Sequence, residues 1–190
     1  VEAYDPVTNT WTTKTPMLSQ RWHPGVGAIN GILYAAGGQS TGFPTTLKTV
    51  EAYDPVADTW TNKALMPTGR YRGGVGVING MLYFVGGISD TGADLKPVYK
   101  YNPISNMWTT NALLLPARWG LGVGAINGLL YAVGGIESSI SVLKKVDAYD
   151  RVTNTWTPKT QMPAARYRHG VGVVDGILYA VGGDTANGGP

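Results

Sequence analysis

Cysteine is absent from this chain, which excludes disulfides, thiolate metal sites and a Cys nucleophile. Histidine occurs only twice, with no HExxH or other ligand spacing, so no metal and no cofactor are expected. Charged residues make up 14%, low for a helical protein and ordinary for a tightly turned all-β one. No apolar run approaches the roughly 20 residues of a membrane span, so no membrane partner is expected. The 15 basic residues are offset by 12 acidic ones and do not cluster, which argues against nucleic acid. No window keeps a helical period. What the chain has in plenty is glycine, at 27, with 12 prolines beside it, so about a fifth of it is turn-forming.

The glycines recur. Trp11, Trp60, Trp108 and Trp156 are spaced 49, 48 and 48 residues apart. The same intervals relate Tyr4, Tyr53, Tyr101 and Tyr149, and also Arg21, Arg70, Arg118 and Arg166. They relate the pairs Gly37-Gly38, Gly86-Gly87, Gly134-Gly135 and Gly182-Gly183 as well. The segment RWHPGVGAINGILYAAGG (21–38) returns three times, with nine of its 18 positions identical in all four copies. One supersecondary unit is therefore used four times. Copies 1 and 3 share Arg-Trp, and copies 2 and 4 share Arg-Tyr-Arg, as a duplicated pair of units would.

Each unit reads as four short strands. Gly25 to Ile29 alternates small and apolar residues. Asn30-Gly31 is a two-residue hairpin signal, repeated as Asn-Gly twice and as Asp175-Gly176. Ile32 to Ala36 is a continuous apolar run, suited to a strand buried on both faces, and the glycine pair stops it. Val50 to Tyr53 is a third strand. Asp54-Pro55 through Asp58-Thr59 makes a turn by proline and Asx chemistry, and Trp60 opens a fourth strand ending near Met66-Pro67. Four antiparallel strands per unit, repeated, predict an all-β propeller of four-stranded blades.

These residues resemble the kelch repeat family over essentially the whole chain. The likeness rests on the double glycine, the Tyr after it, and the Trp seven residues beyond that Tyr. It implies that the glycine-rich strand lines a central channel and that the Trp strand lies at the rim. Residues 1–190 then form one domain, with units beginning near Arg21, Arg70, Arg118 and Arg166. Val1 aligns with Val50, so residues 1–20 are expected to complete the blade holding Arg166 to Gly183 and close the ring. A fragment of a larger ring, or two chains completing one, are the alternatives. The partner state expected is accordingly a monomer, or a dimer if the ring is completed between chains.

Residues present in every unit read as scaffold, and breaks in the symmetry read as site. The Trp, Tyr and glycine pairs belong to the first class. So do the four arginines, which can satisfy carbonyls at blade junctions; the competing reading is an inward ring gripping an anion. Two residues after each arginine stand His23, Arg72, Gly120 and Arg168. In kelch domains that bind peptides the loop entering the inner strand faces the ligand, so the resemblance implies ligand contacts for Arg72, Arg168 and His23. The loops after the glycine pairs vary, and variation on a fixed scaffold is where binding tends to lie. Three of them carry Leu-Lys, giving Lys48, Lys96 and Lys144. Together with the arginines, and interleaved with Trp22, Tyr71, Trp119 and Tyr167, these make a basic face suited to an acidic peptide or a glycan. Packing of those aromatics between blades is the competing reading.

No catalytic residues are expected. The copper-radical oxidases among kelch-like proteins need a Cys–Tyr cross-link, which this chain cannot form. The functional expectation is a non-enzymatic interaction module presenting one propeller face to a protein or peptide, with an acidic one the candidate. A glycan-binding or sugar-mutarotase-like domain is the second expectation, and a truncated or engineered repeat array without function of its own is the third.

Overall fold

A computed structural model describes residues 1–41 and 45–185. Part of the first variable loop (39–49) and most of the last (184–190) lie outside the described residues. The chain forms β1 (Glu2–Asp5), β2 (Thr10–Thr13), β3 (Gly25–Ile29), β4 (Ile32–Ala36), β5 (Val50–Asp54) and β6 (Thr59–Lys63). The next unit gives β7 (Gly74–Ile78), β8 (Met81–Val85), β9 (Pro97–Asn102) and β10 (Met107–Leu113). The third gives β11 (Gly122–Ile126), β12 (Leu129–Val133), a short ribbon of β13 (Ile136–Glu137) and β14 (Ser141–Val142), then β15 (Val146–Asp150) and β16 (Thr155–Lys159). The last is β17 (Gly170–Val174) and β18 (Ile177–Val181). Three sheets are complete antiparallel blades, ordered β3-β4-β5-β6, β7-β8-β9-β10 and β11-β12-β15-β16. The pairs β1-β2 and β17-β18 are half-blades at either end. The β13-β14 ribbon has no counterpart in the sequence reading.

Each inner hairpin turns on an Asn or Asp with φ near +50°, followed by a glycine at +70 to +80°. Those are the angles of a type I′ turn, whose twist matches the strands it joins. Neighbouring blades then interlock through their inner strands. A β-carbon on Gly25 would overlap the Val75 side chain of the next blade. Gly74 meets Val123 in the same way, and Gly122 meets Val171. The Gly-Val-Gly pattern is therefore a hole on one face of the strand and a knob on the other.

A second seam runs along the rim. Trp60 Nε1 donates to Thr15 O at 2.9 Å, Trp108 to Ala64 O at 2.9 Å and Trp156 to Ala112 O at 3.4 Å. Each bond reaches back to the preceding blade. The same neighbour's amide donates to Asp58, Asn106 or Asn154, whose oxygen also takes the hydroxyl of Tyr53, Tyr101 or Tyr149. The fourth strand ends earlier than expected, at Lys63 rather than near Met66. Beyond Lys63, Ala64 N donates to Asn106 Oδ1 and Met66 N to Lys48 O, whereas β10, with the same two bonds at Ala112 and Leu114, runs on to Leu113.

The repeated arginines are scaffold. Arg21, Arg70 and Arg118 are buried. Arg21 reaches Gly37 O and Thr49 O, and Arg70 reaches Gly86 O and Pro97 O. Each thereby ties the end of its second strand to the start of the third. Arg21 is paired with Glu51 and Arg118 with Asp147, while Arg70 lies over the Tyr99 ring, 4.0 Å from its centroid.

The structure does not show the expected closure by the chain ends. β1 pairs only with β2, and β18 only with β17. Nothing lies within 4 Å of a β-carbon built on Gly172, and Trp11 is 67% exposed.

Candidate functional site

His23, Arg72, Gly120 and Arg168 each start the approach to an inner strand, and all four adopt left-handed backbone angles, φ +51°, +56°, +62° and +56°. Their backbones form one chain across the blades. Arg72 N donates to His23 O at 3.2 Å, Gly120 N to Arg72 O at 2.8 Å and Arg168 N to Gly120 O at 2.6 Å. Only Gly120 takes this conformation without cost. An L-residue with a β-carbon there costs on the order of 1 kcal/mol.

This chain of bonds brings the two arginines together. Arg72 lies 5.1 Å and Arg168 5.3 Å from the centroid of the Trp119 ring. Arg72 also covers Tyr71, and Arg168 covers Tyr167. The two guanidiniums flank one aromatic platform, whereas a closed four-blade ring would have set them on opposite sides of the channel. Trp119 is a packed residue, 5% exposed, seated against Ile88 and Ile136. Tyr71 and Tyr167 are half-buried and rest on that cluster, while Trp22 is 63% exposed.

Between the arginines opens a cleft of about 340 Å³, lined by His23, Pro24, Arg72, Gly73, Gly120, Leu121, Arg168 and His169. Among the described residues no carboxylate lines it. Arg168 has Asp184 at 3.3 Å, an exposed pair of small energetic worth. Arg72 has no ion-pair partner among the described residues. Lys48, Lys96 and Lys144 are exposed and do not line this cleft. Their carbonyls accept from Met66, Leu114 and Met162 N, at the end of the same unit. Lys96 borders a separate cleft of about 570 Å³ beside Asp94 and Glu137.

His169 is the residue the sequence underrated. It occupies the position of Pro24, Gly73 and Leu121 in the other units, and the sole signal for it is that mismatch. It is buried, with neither ring nitrogen hydrogen-bonded. Burial, helped by the Arg166 charge, pushes its pKa down to about 4. His23 is lowered too, chiefly by burial and then by Arg72 and Arg168. The unfolded chain protonates His169 near pH 6.5, while the folded chain resists until about pH 4. Stability is therefore full above pH 6.5 and falls as pH drops through that window, by about 3 kcal/mol in all. His169→Leu, which copies Leu121, should remove that part of the pH dependence. Urea titrations of both proteins from neutral to acid pH measure it, and parallel curves would exclude His169 as the source.

Among the described residues no group of three or more His, Asp or Glu side chains is placed to hold a metal. Complete four-stranded blades stacked by their inner strands, with variable loops and a basic cleft at one end, define a β-propeller repeat protein. A family model described as the kelch motif matches residues 21–67, 69–110 and 117–163. The chain belongs to the kelch repeat family, whose repeats generally mediate protein–protein interaction and are typically non-enzymatic. Comparison with curated proteins gives no match.

Proposed function

We propose that the channel mouth takes an acidic segment of a protein partner, with its carboxylates gripped by Arg72 and Arg168. The observation that supports this most is where the strain falls. Three of the four equivalent left-handed positions hold His or Arg, although glycine is the residue that fits there and Gly120 is present in the fourth. Residues kept in unfavourable backbone regions point to a role other than stability. The cleft supplies two planar cations, Arg72 without an ion-pair partner among the described residues and Arg168 held only by the exposed Asp184, and a guanidinium takes a carboxylate in a bidentate fork. Trp119 holds both guanidiniums near one another, within about twice 5.3 Å, so two carboxylates close together in a peptide are the fitting ligand. His23 and the half-buried Tyr71 and Tyr167 rings would border the bound segment.

Replacing Arg72 or Arg168 by glycine separates binding from folding. Each variant should keep the parent's stability or gain about 1 kcal/mol from relief of the left-handed angle. Each should weaken an acidic peptide selected from an array on the order of tenfold or more. Added salt should weaken the parent further, since exposed charge contacts are screened within about 8–10 Å. Unchanged affinity in the double variant would remove the arginines from the site. Hits on a glycan array with none on peptides would move the reading to sugar binding.

A further inference from the structure

Arg72 and Arg168 sit differently on their aromatic neighbours. Arg72 covers Tyr71 of its own unit, at 5.4 Å, and Trp119 of the next, at 5.1 Å. Arg168 covers Tyr167 of its own unit, at 5.0 Å, but reaches back to Trp119 of the unit before, at 5.3 Å. Gly120 stands between them in the same hydrogen-bonded run of left-handed positions. A side chain there, lying as that of Arg72 does, would occupy the interval between Trp119 and Tyr167. Those two rings meet edge to face with centroids 5.5 Å apart, and a β-carbon on Gly120 would already lie 3.4 Å from the Tyr167 ring. Glycine leaves that interval free, and the Arg168 guanidinium takes it.

We propose that Gly120 is a positioning residue of the mouth: lacking a side chain, it lets Arg168 fold back beside Arg72 and so sets the close spacing of acidic groups that the pair accepts. This rests on the reading of the mouth given above and adds the source of its selectivity. Gly120 is then not a cation missing from the row. Its vacancy turns two arginines, one unit apart from each other on either side of it, into one paired site on Trp119. A side chain at residue 120 would compete with Arg168 for the same two ring faces. Beyond those rings Arg168 has the exposed Asp184 at 3.3 Å to hold it, a pair of small worth, so it would yield. The site would then keep one guanidinium on Trp119 and lose its fit to two neighbouring carboxylates, although both arginines remain in the chain.

Gly120→Gln puts a neutral side chain into the interval, and His23, Arg72 and Arg168 show that the backbone accepts a side chain at this angle. Affinity for a synthetic peptide with two adjacent Glu residues should fall on the order of tenfold, as it should for Arg168→Gly. Moving the charge, with Gly120→Arg and Arg168→Gly in one chain, puts a guanidinium back into the same interval and should restore most of that affinity. Without any ligand, the Arg168 Nε–H resonance reports its place over Trp119 through the ring current, and its loss in Arg168→Gly identifies it. It should move in Gly120→Gln while that of Arg72 stays. An unmoved Arg168 resonance with the parent's affinity overturns the proposal. So does a charge-moved chain that binds no better than Arg168→Gly alone. A Gly120→Gln chain that does not melt cooperatively also overturns it, because glycine would then be needed for the backbone alone. A parent that binds no such peptide, with the Arg168 resonance still moving in Gly120→Gln, removes the acidic ligand and upholds the positioning of Arg168 by Gly120.

Discussion

Asp147→Ala should cost about 3–5 kcal/mol, because it leaves the Arg118 guanidinium buried without a counter-ion. The side chain of Arg118 is fully buried, and its Nη2 meets Asp147 Oδ2 at 2.7 Å. Arg118 also binds Pro116 O and Ala132 O, so it cannot swing out to water without stranding two carbonyls. The second blade shows what it takes to do without the acid. Arg70 has Tyr99 where the other blades have Glu51 and Asp147, and it rests on that ring, with burial pushing its pKa down to about 10. Among the described residues Arg118 has no such ring beneath it, so loss of Asp147 is not absorbed. Denaturant titration of Asp147→Ala measures the cost, and a loss under about 1 kcal/mol would mean that the pair is dispensable. Replacing both partners by apolar residues should recover only part of the loss, since the two carbonyls remain unmet.

Trp60→Ala should cost about 3–5 kcal/mol, the range for large aromatic truncations in cores. Trp60 is 7% exposed, packs on Tyr53 at 5.1 Å between centroids, and donates across the seam to Thr15 O. Trp11 stands at the same place in the motif but at the open end, 67% exposed. The same substitution there should cost under about 1 kcal/mol in the isolated chain, as surface changes do. Equal losses at the two positions would contradict the account of the rim seam, because only one of the two tryptophans has a neighbouring blade to bind.

These contrasts bear on what a sequence of this kind reveals. The blade was legible because it solves one packing problem four times, and every recurrence of Trp, Tyr, Arg and Gly-Val-Gly repeats the constraint. The inner hairpin was legible from Asn-Gly alone, since few other residue pairs accept two successive positive φ angles. Closure was not legible. β1 repeats the sequence of β5 whether or not it has a partner, so the pattern does not say whether β1 meets β18.

The site was half legible. Broken symmetry singled out His23, Arg72 and Arg168, and they do share one cleft. Their left-handed angles, and the gathering of both arginines on Trp119, come from hydrogen bonds between blades that leave no trace in composition. Lys48, Lys96 and Lys144 looked like part of the same basic face because of the recurring Leu-Lys. In the structure their side chains are exposed and do not line that cleft.

The claim that the mouth recognises acidic protein segments is tested most directly by selecting binders from an unbiased peptide library with the parent and with the Arg72→Gly, Arg168→Gly double variant. The account predicts that the parent enriches peptides carrying two closely spaced Asp or Glu residues, and that the folded double variant loses this enrichment. Binders without acidic residues, or the same acidic binders retained by the double variant, would contradict it.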